Sequence, residues 1–195
     1  MPVRRLLIVP LAVLAVSLLP TGCALSPQSV QVQPVLDVAV PALGRNRPLA
    51  LEVVDQRPTP QFGARGGVYT TALISPAGDV AAAVRRALAE RLGAAQFQVL
   101  PTPAEAPLGL RVEILRVDYR ASGEPVVTEV RASAEVRALA RNGTRSFTGQ
   151  YRANSARQVV GPPGDADNQA IINEIITQAL QRMLADQGLL DALSR

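Results

Sequence analysis

The sequence predicts an α/β (α+β) fold, a two-layer sandwich in which a mixed or mainly antiparallel sheet of about six strands carries two helices on one face. Two stretches, one in the middle of the chain and one near its C-terminus, repeat apolar residues at helical spacing. The other apolar runs are short or alternate with polar residues, as strands do. Because few of these strands are separated by helices, we expect the sheet to be mixed or mainly antiparallel.

The first half of the predicted domain contains strands around one helix. Apolar, β-branched runs at 49–54, 68–74 and 97–100 predict the strands. After the second run, Ser75 and Pro76 predict the start of the helix, as an N-cap with proline at the first helical position. The helix repeats its apolar residues every four positions, at Val80, Val84, Leu88 and Leu92.

The second half begins with an alternating strand and ends with a helix. Over 108–119 the alternation slips by one residue after Ile114, which predicts a β-bulge. Asp165 and Asp167 begin the second helix, where acidic residues interact favourably with the helix dipole. The apolar stripe of this helix consists of Ile171, Ile172, Ile175, Ile176, Ala179, Leu180, Met183 and Leu184.

A β-hairpin is predicted between these two elements, at Asn142 and Gly143. Asn-Gly between two alternating runs is a strong signal for a two-residue turn. Such a loop places Ala138 opposite Phe147. One face of the hairpin is then apolar, and the other is polar and carries Arg131, Arg137, Arg141 and Arg152.

The N-terminus has the pattern of a targeting segment. Arg4 and Arg5 precede an almost wholly apolar run at 6–19. This run is shorter than the roughly 20 residues that a membrane-spanning helix needs, and Pro10 interrupts it, as is typical of a signal peptide. The run ends in Leu19-Pro20-Thr21-Gly22-Cys23, which is similar to a bacterial lipobox although Pro20 stands where lipoboxes usually have Leu.

This motif predicts a lipid anchor. We expect a lipoprotein signal peptide at 1–22, cleavage between Gly22 and Cys23, and a diacylglycerol group on the sulfur of Cys23. Ala24 follows the cysteine, and by resemblance to lipoprotein sorting this favours export to the outer membrane. The alternative is an ordinary secretory signal with an incidental cysteine.

The remaining chain divides into a linker and one domain. Residues 23–48 are interpreted as a lipidated N-terminus and a Pro-rich tether, since prolines at 27, 34, 41 and 48 favour extended chain. The alternative for part of this segment is that the apolar Val35, Val38 and Val40 lie along the domain. Residues 49–195 have the length of a single globular α/β domain. Loss of Arg4 and Arg5 with the signal lowers the formal net charge from +4 to +2, so the mature chain is only weakly basic.

The composition excludes several kinds of chemistry. The chain has no His and one Cys, and its 20 basic residues are all Arg. It therefore has no Ser-His-Asp triad, no imidazole metal site, no Schiff-base lysine and no internal disulfide. An aromatic content of 3% disfavours stacking on nucleic-acid bases. We expect no metal, no cofactor and no nucleic-acid partner.

Asp55, Gln56 and Arg57 form the candidate loop for a partner or ligand, because they follow the first strand and precede a Gly-rich loop. The alternative is a structural turn in which Asp55 caps backbone amides and pairs with Arg57. Carboxylates offer the only catalytic route that the composition leaves. Glu129, Glu135, Asp165 and Asp167 are the candidates, but the pattern places no two of them in an apolar cleft, so we predict no catalytic residue.

Several of these motifs together resemble the YajG-type family of bacterial lipoproteins. The resemblance rests on the lipobox, the Pro-rich tether, the strand ending at 55–57, the helix opening at 75–79, and the C-terminal run from Tyr151-Arg152-Ala153 into the helix at 173–184. It implies an outer-membrane lipoprotein that faces the periplasm, and it supplies no catalytic residue. The predicted sandwich also looks like accessory lipoproteins of envelope transport systems, by analogy of fold alone.

The sequence thus predicts a non-enzymatic binding or accessory module of the cell envelope. Its partners would be the membrane, through the lipid anchor, and an envelope protein or lipid that the sequence does not identify. One alternative is a carrier of a small lipid or muropeptide between helices and sheet. A second alternative is a carboxylate-dependent hydrolase.

Overall fold

The computed structural model describes residues 26–66, 71–101, 106–123 and 126–194. Within these ranges the chain forms one mixed sheet and a layer of helices, which confirms the predicted α/β sandwich. The elements are β1 (Gln28–Val30), β2 (Pro48–Asp55), β3 (Gly63–Ala64), β4 (Leu73–Pro76), α1 (Val80–Ala94), β5 (Gln98–Leu100), β6 (Leu108–Gly123), β7 (Val127–Asn142), β8 (Arg145–Val160), α2 (Asp165–Leu184) and α3 (Gln187–Ser194).

The long strand β6 lies at the centre of the sheet. Its first half pairs in parallel with β2, which pairs in parallel with β5. Its second half pairs in parallel with β3, and β4 and β1 extend the sheet on that side. β7 pairs antiparallel with β6, and β8 pairs antiparallel with β7. The register of β6 shifts between Ile114 and Arg116, which confirms the predicted bulge.

All three helices cover the same face of the sheet. The predicted stripes of α1 and α2 are buried in one apolar cluster with alternate residues of β2, β6 and β7. The C-terminal α3 adds Leu189, Leu190 and Leu193 to the buried residues, so two predicted helices become three in the described ranges. None of the described helices is long and apolar enough to cross a membrane.

The first helix starts later than predicted. Ser75 and Pro76 are the last residues of β4, where Pro76 pairs with Val30 of β1. The N-cap is Asp79, whose Oδ1 accepts a hydrogen bond from the backbone N–H of Ala82 at 3.0 Å. Asp79 is the better cap because its charge also interacts with the helix dipole. Of the strand predicted at 68–74, residues 68–70 lie outside the described residues.

The predicted hairpin forms, but its register differs by two residues. Asn142 pairs with Arg145, so Ala138 faces Gly149 instead of Phe147. Gly143 adopts a φ of 60° and no other turn residue has a positive φ, which is the pattern of a type II′ turn. Because the shift is an even number of residues, every side chain keeps the predicted face.

Residues 28–40 pack on the domain, so the prediction of a Pro-rich tether is wrong for this part of 23–48. β1 joins the sheet through β4. Beyond it, the Asn173 side chain of α2 binds the backbone on both sides of Val32, accepting from Gln33 N at 2.6 Å and donating to Gln31 O at 2.9 Å. Val30 and Val32 are buried, and this alternation of apolar and polar residues anchors the segment against the helices.

Candidate functional site

The sheet face opposite the helices is the candidate functional surface. It consists of the side chains of β2, β6, β7 and β8 that alternate with the core residues and point away from the helices. Within the described ranges, no helix or further strand packs on this surface. We call it the open face. Its central polar side chains are Glu52, Arg111, Glu113, Glu135, Arg137, Gln150 and Arg152.

A network of ion pairs is centred on Glu113 of β6. The Nε of Arg111 donates to Glu113 Oε1 at 3.1 Å, and the Nε of Arg137 donates to Oε2 at 2.7 Å. Gln56 Nε2 donates to Oε1 at 3.1 Å. Arg111 also pairs with Glu52 at 3.0 Å. The network therefore connects β2, β6 and β7 across the middle of the open face.

Glu113 stays ionised although its side chain is only 6% exposed. Burial alone would raise the pKa of Glu113, because desolvation penalises the charged form. Hydrogen bonds from Arg137 and Arg111 outweigh this effect, and the pKa of Glu113 lies below its ordinary value. The carboxylate therefore acts as a fixed acceptor rather than as a proton donor.

Glu135 of β7 has the same arrangement. Arg152 Nη2 of β8 donates to Glu135 Oε1 at 3.0 Å, and Gln150 Nε2 donates to the same oxygen. Burial opposes ionisation, but the hydrogen bonds from Arg152 and Gln150 outweigh it and lower the pKa of Glu135. A general acid needs the opposite shift.

The other carboxylates considered for catalysis serve structural contacts. Glu129 pairs with Arg131 at 2.9 Å. Asp165 pairs with Arg65 at 2.7 Å. Asp167 Oδ2 accepts the backbone N–H of Gly164 at 3.1 Å and so closes the first turn of α2. None of these contacts brings two carboxylates together.

A cavity of about 520 Å³ opens on the open face close to the hairpin turn. Ala50 of β2 and Gly109 of β6 line it, and the small side chain of Ala50 and the absence of one at Gly109 leave the space. Leu139 of β7 contributes apolar surface, and Arg111 and Arg141 contribute guanidinium groups. The cavity therefore offers apolar contact together with cations.

Asp55, Gln56 and Arg57, the predicted partner or ligand loop, are engaged in contacts within the chain. The Arg57 side chain is 4% exposed and pairs with Asp55 at 2.7 Å. Its guanidinium carbon lies 4.9 Å from the ring centroid of Phe62, within the range of a cation–π contact. These are the contacts of a structural turn, and only Gln56 reaches the open face. A binding role for the loop stays a prediction.

Cys23 and Gly22, the predicted lipidation and cleavage residues, lie outside the described residues. Sequence reasoning did not single out Arg111 and Glu113 as functional candidates. The alternation at 108–114 places both on one face, but their pairing with Arg137 depends on the order and register of the strands.

The sequence matches the model of a family described as "uncharacterized lipoprotein" over residues 34–194. The chain belongs to this family. As a lipoprotein it is a membrane-anchored protein of the cell envelope, and the predicted resemblance to bacterial lipoproteins is confirmed. No curated protein sequence matches this lipoprotein.

Solved structures show what fold the lipoprotein shares. A Xanthomonas campestris protein of family DUF330 superposes with a TM-score of 0.53 at 12% identity, covering 85% of this chain and 96% of that one. A neuraminyllactose-binding hemagglutinin homologue from Helicobacter pylori has a TM-score of 0.45 at 10% identity, covering 83% and 93%. A Neisseria meningitidis lipoprotein has a TM-score of 0.31 at 14% identity, covering 72% and 99%. At these identities the comparisons concern the fold alone. Of these three structures, we base the shared fold on the Xanthomonas campestris protein.

Proposed function

We propose that this lipoprotein is a YajG-type, non-enzymatic binding module, held in the outer membrane by a diacylglycerol group on Cys23 and facing the periplasm. The anchor is supported by the lipobox-like segment that ends at Cys23 and by the lipoprotein family of the chain. Outer-membrane sorting is supported by Ala24 after the cysteine.

The open face is the observation that carries the binding role. The strands β6, β7 and β8 are each 16 residues long. At about 3.3 Å per residue and about 4.8 Å between strands, these strands give a face of roughly 50 Å by 10 Å, and the 8 residues of β2 widen it to about 15 Å over half of that length. This area is of the order of the 800 Å² that each partner buries in a stable protein interface. We therefore infer that the partner is a protein of the envelope.

The charges of the open face suit recognition better than catalysis. Glu113 and Glu135 are fixed by arginines from neighbouring strands, so their positions are set before a partner arrives. The partly exposed guanidinium groups of these arginines favour specificity, because a partner without complementary acceptors would bury them without a hydrogen bond. The lowered pKa values of both carboxyls, in a chain without His and Lys, argue against acid–base catalysis.

A second candidate is a carrier of a small lipid or muropeptide. The small alanines of β7 and β8 that face the core leave no room for a ligand, because α2 and α3 cover them, and Ala138 and Ala153 are fully buried. The open-face cavity remains, since its volume lies within the roughly 300–1,000 Å³ of typical ligand sites. Native mass spectrometry of protein purified from envelopes tests this candidate. A clean unliganded mass would count against it.

Photocrosslinking in intact cells tests the proposed binding face. A benzophenone amino acid replaces Thr148, which is exposed and lines the open-face cavity, and in a control it replaces Ala170, which is exposed on α2. We expect a discrete crosslinked protein from position 148 and none from position 170. Equal adducts from both positions, or none from position 148, would contradict the proposal.

A further inference from the structure

Three exposed valines lie together at the end of the sheet farthest from the hairpin turn. Val126 is 71% exposed, Val127 is 45% exposed and Val160 is 90% exposed. Val127 pairs with Val160 across β7 and β8, and the carbonyl of Val126 accepts the N–H of Gly161 at 3.1 Å. We call these residues the valine tip. The described residues leave this cluster of three apolar side chains exposed to solvent. A contiguous exposed apolar patch marks a surface that contacts a protein or a membrane.

The chain from the predicted anchor arrives at this same end of the sheet. The strand pairings make β1 run in the same direction as β7, so both strands begin here. Gln28 lies in the same row of residues as Ala132 of β7, through Ile74, Gly63 and Tyr119. Val127 precedes Ala132 by five residues, and Cys23 precedes Gln28 by the same number. At about 3.3 Å per residue, each of these stretches spans at most about 17 Å.

Arg65 fixes the entry point of this chain. Its Nη1 donates to the carbonyl of Ser26 at 3.3 Å, and its Nη2 donates to the carbonyl of Pro163 at 3.4 Å. It also pairs with Asp165 at the start of α2. Pro163 follows Val160 by three residues, so the entry point lies beside the valine tip. Only a few residues therefore connect the predicted lipidation site, Cys23, to the apolar end of the domain.

We propose that the valine tip rests in the interface of the bilayer that holds the acyl chains of Cys23, with β7 and β8 pointing away from the membrane. The proposal rests on the lipid anchor of the proposed function. Once the anchor is inserted, contact of the tip with the same bilayer is an intramolecular step and gains from the high effective concentration. Binding to the interface scales with the apolar area that it buries, and the valine tip presents three exposed apolar side chains.

In this orientation the length of the sheet, and not a flexible tether, sets how far the protein extends from the membrane. β7 is 16 residues long, so the hairpin turn stands about 50 Å from the valine tip. The open-face cavity lies near that turn. A partner of the open face would therefore be met well above the membrane surface and at a fixed height.

Depth-dependent fluorescence quenching tests the orientation. The lipidated full-length protein carries Val160→Cys, or Thr144→Cys at the hairpin turn as the matched control, and each new thiol is labelled with a nitrobenzoxadiazole dye. The only native cysteine is Cys23, whose sulfur is occupied by the lipid, so the dye reports a single position. Both sites are exposed, so folding is unchanged. The protein is inserted in vesicles of phosphatidylethanolamine and phosphatidylglycerol with nitroxide-labelled lipids.

We expect the protein to float with the vesicles and the dye to lose fluorescence at position 160 and not at position 144. Flotation without quenching at position 160, or equal quenching at both positions, overturns the orientation alone. If protection of the dye at position 160 from water depends on the number of protein molecules per vesicle and not on the nitroxide lipid, the tip contacts a second copy of the chain. That result would also overturn the orientation. Failure to float would overturn the anchor, and the orientation with it.

Discussion

Replacing Glu113 with glutamine is expected to destabilise the domain by about 2 kcal/mol. The change keeps the shape of the side chain but removes the charge that accepts hydrogen bonds from Arg111, Arg137 and Gln56. A net contribution of about 1.5–3 kcal/mol is typical of hydrogen bonds to a charged group, and the two arginines are about 40% exposed, which weakens each pair. For a domain of this size, the loss corresponds to a Tm lower by about 4–8 °C.

The lowered pKa of Glu113 determines how the stability difference between the wild type and Glu113→Gln changes with pH. The pKa of Glu113 is lower in the folded chain than its ordinary value of 4.5, so its stabilising contribution is complete above that pH. The contribution disappears as the pH falls through the folded-state pKa. The wild type should therefore lose more stability than Glu113→Gln between neutral and acidic pH.

Thermal unfolding followed by circular dichroism at a series of pH values measures both effects. The matched control is Glu129→Gln, the same substitution on the same face, where the partner Arg131 is 70% exposed. Its cost should be at most about 0.5 kcal/mol. Equal Tm losses for the two variants at neutral pH, or parallel pH profiles for Glu113→Gln and the wild type, would refute the argument that the Glu113 network is structural.

Three further predictions concern two buried side chains and the N-terminal segment that packs on α2. Asn168→Ala should cost about 2–3 kcal/mol in urea unfolding, because it leaves the Tyr119 hydroxyl without its buried acceptor; exposed Asn154→Ala should cost far less, and an equal cost would contradict this. Asn173→Ala should speed hydrogen exchange at residues 31–33, which its side chain binds, whereas Gln178→Ala should leave that exchange unchanged. Burial raises the pKa of Tyr119 to about 12, so stability should fall as the pH rises from about 10 to 12, and a flat alkaline profile would refute it.

Local patterns in the sequence predicted the elements and their faces well. The helical stripes are buried as predicted, since a period near four residues leaves one face for the core. The hairpin register was wrong by two residues, yet each face remained correct because side chains alternate with a period of two. Asp79 replaced Ser75 as the N-cap, because pairing of Pro76 with β1 extends the preceding strand.

Contacts between distant segments could not be predicted in the same way. Prolines suggested a free tether, but the alternation of Val30, Gln31 and Val32 is that of a packed segment, and its groove exists only after α2 is in place. The burial of Glu113 depends on Arg137, which arrives from the neighbouring strand. A sequence shows which side of a strand such a residue occupies, but not which cation stands opposite.

Membrane fractionation of Cys23→Ser tests the central claim most directly. The wild type should fractionate with the outer membrane, and the variant should appear in the soluble periplasmic fraction with an unchanged thermal unfolding curve, because Cys23 precedes the folded domain. A folded Cys23→Ser protein that still fractionates with the outer membrane would contradict the lipid anchor on which the account rests.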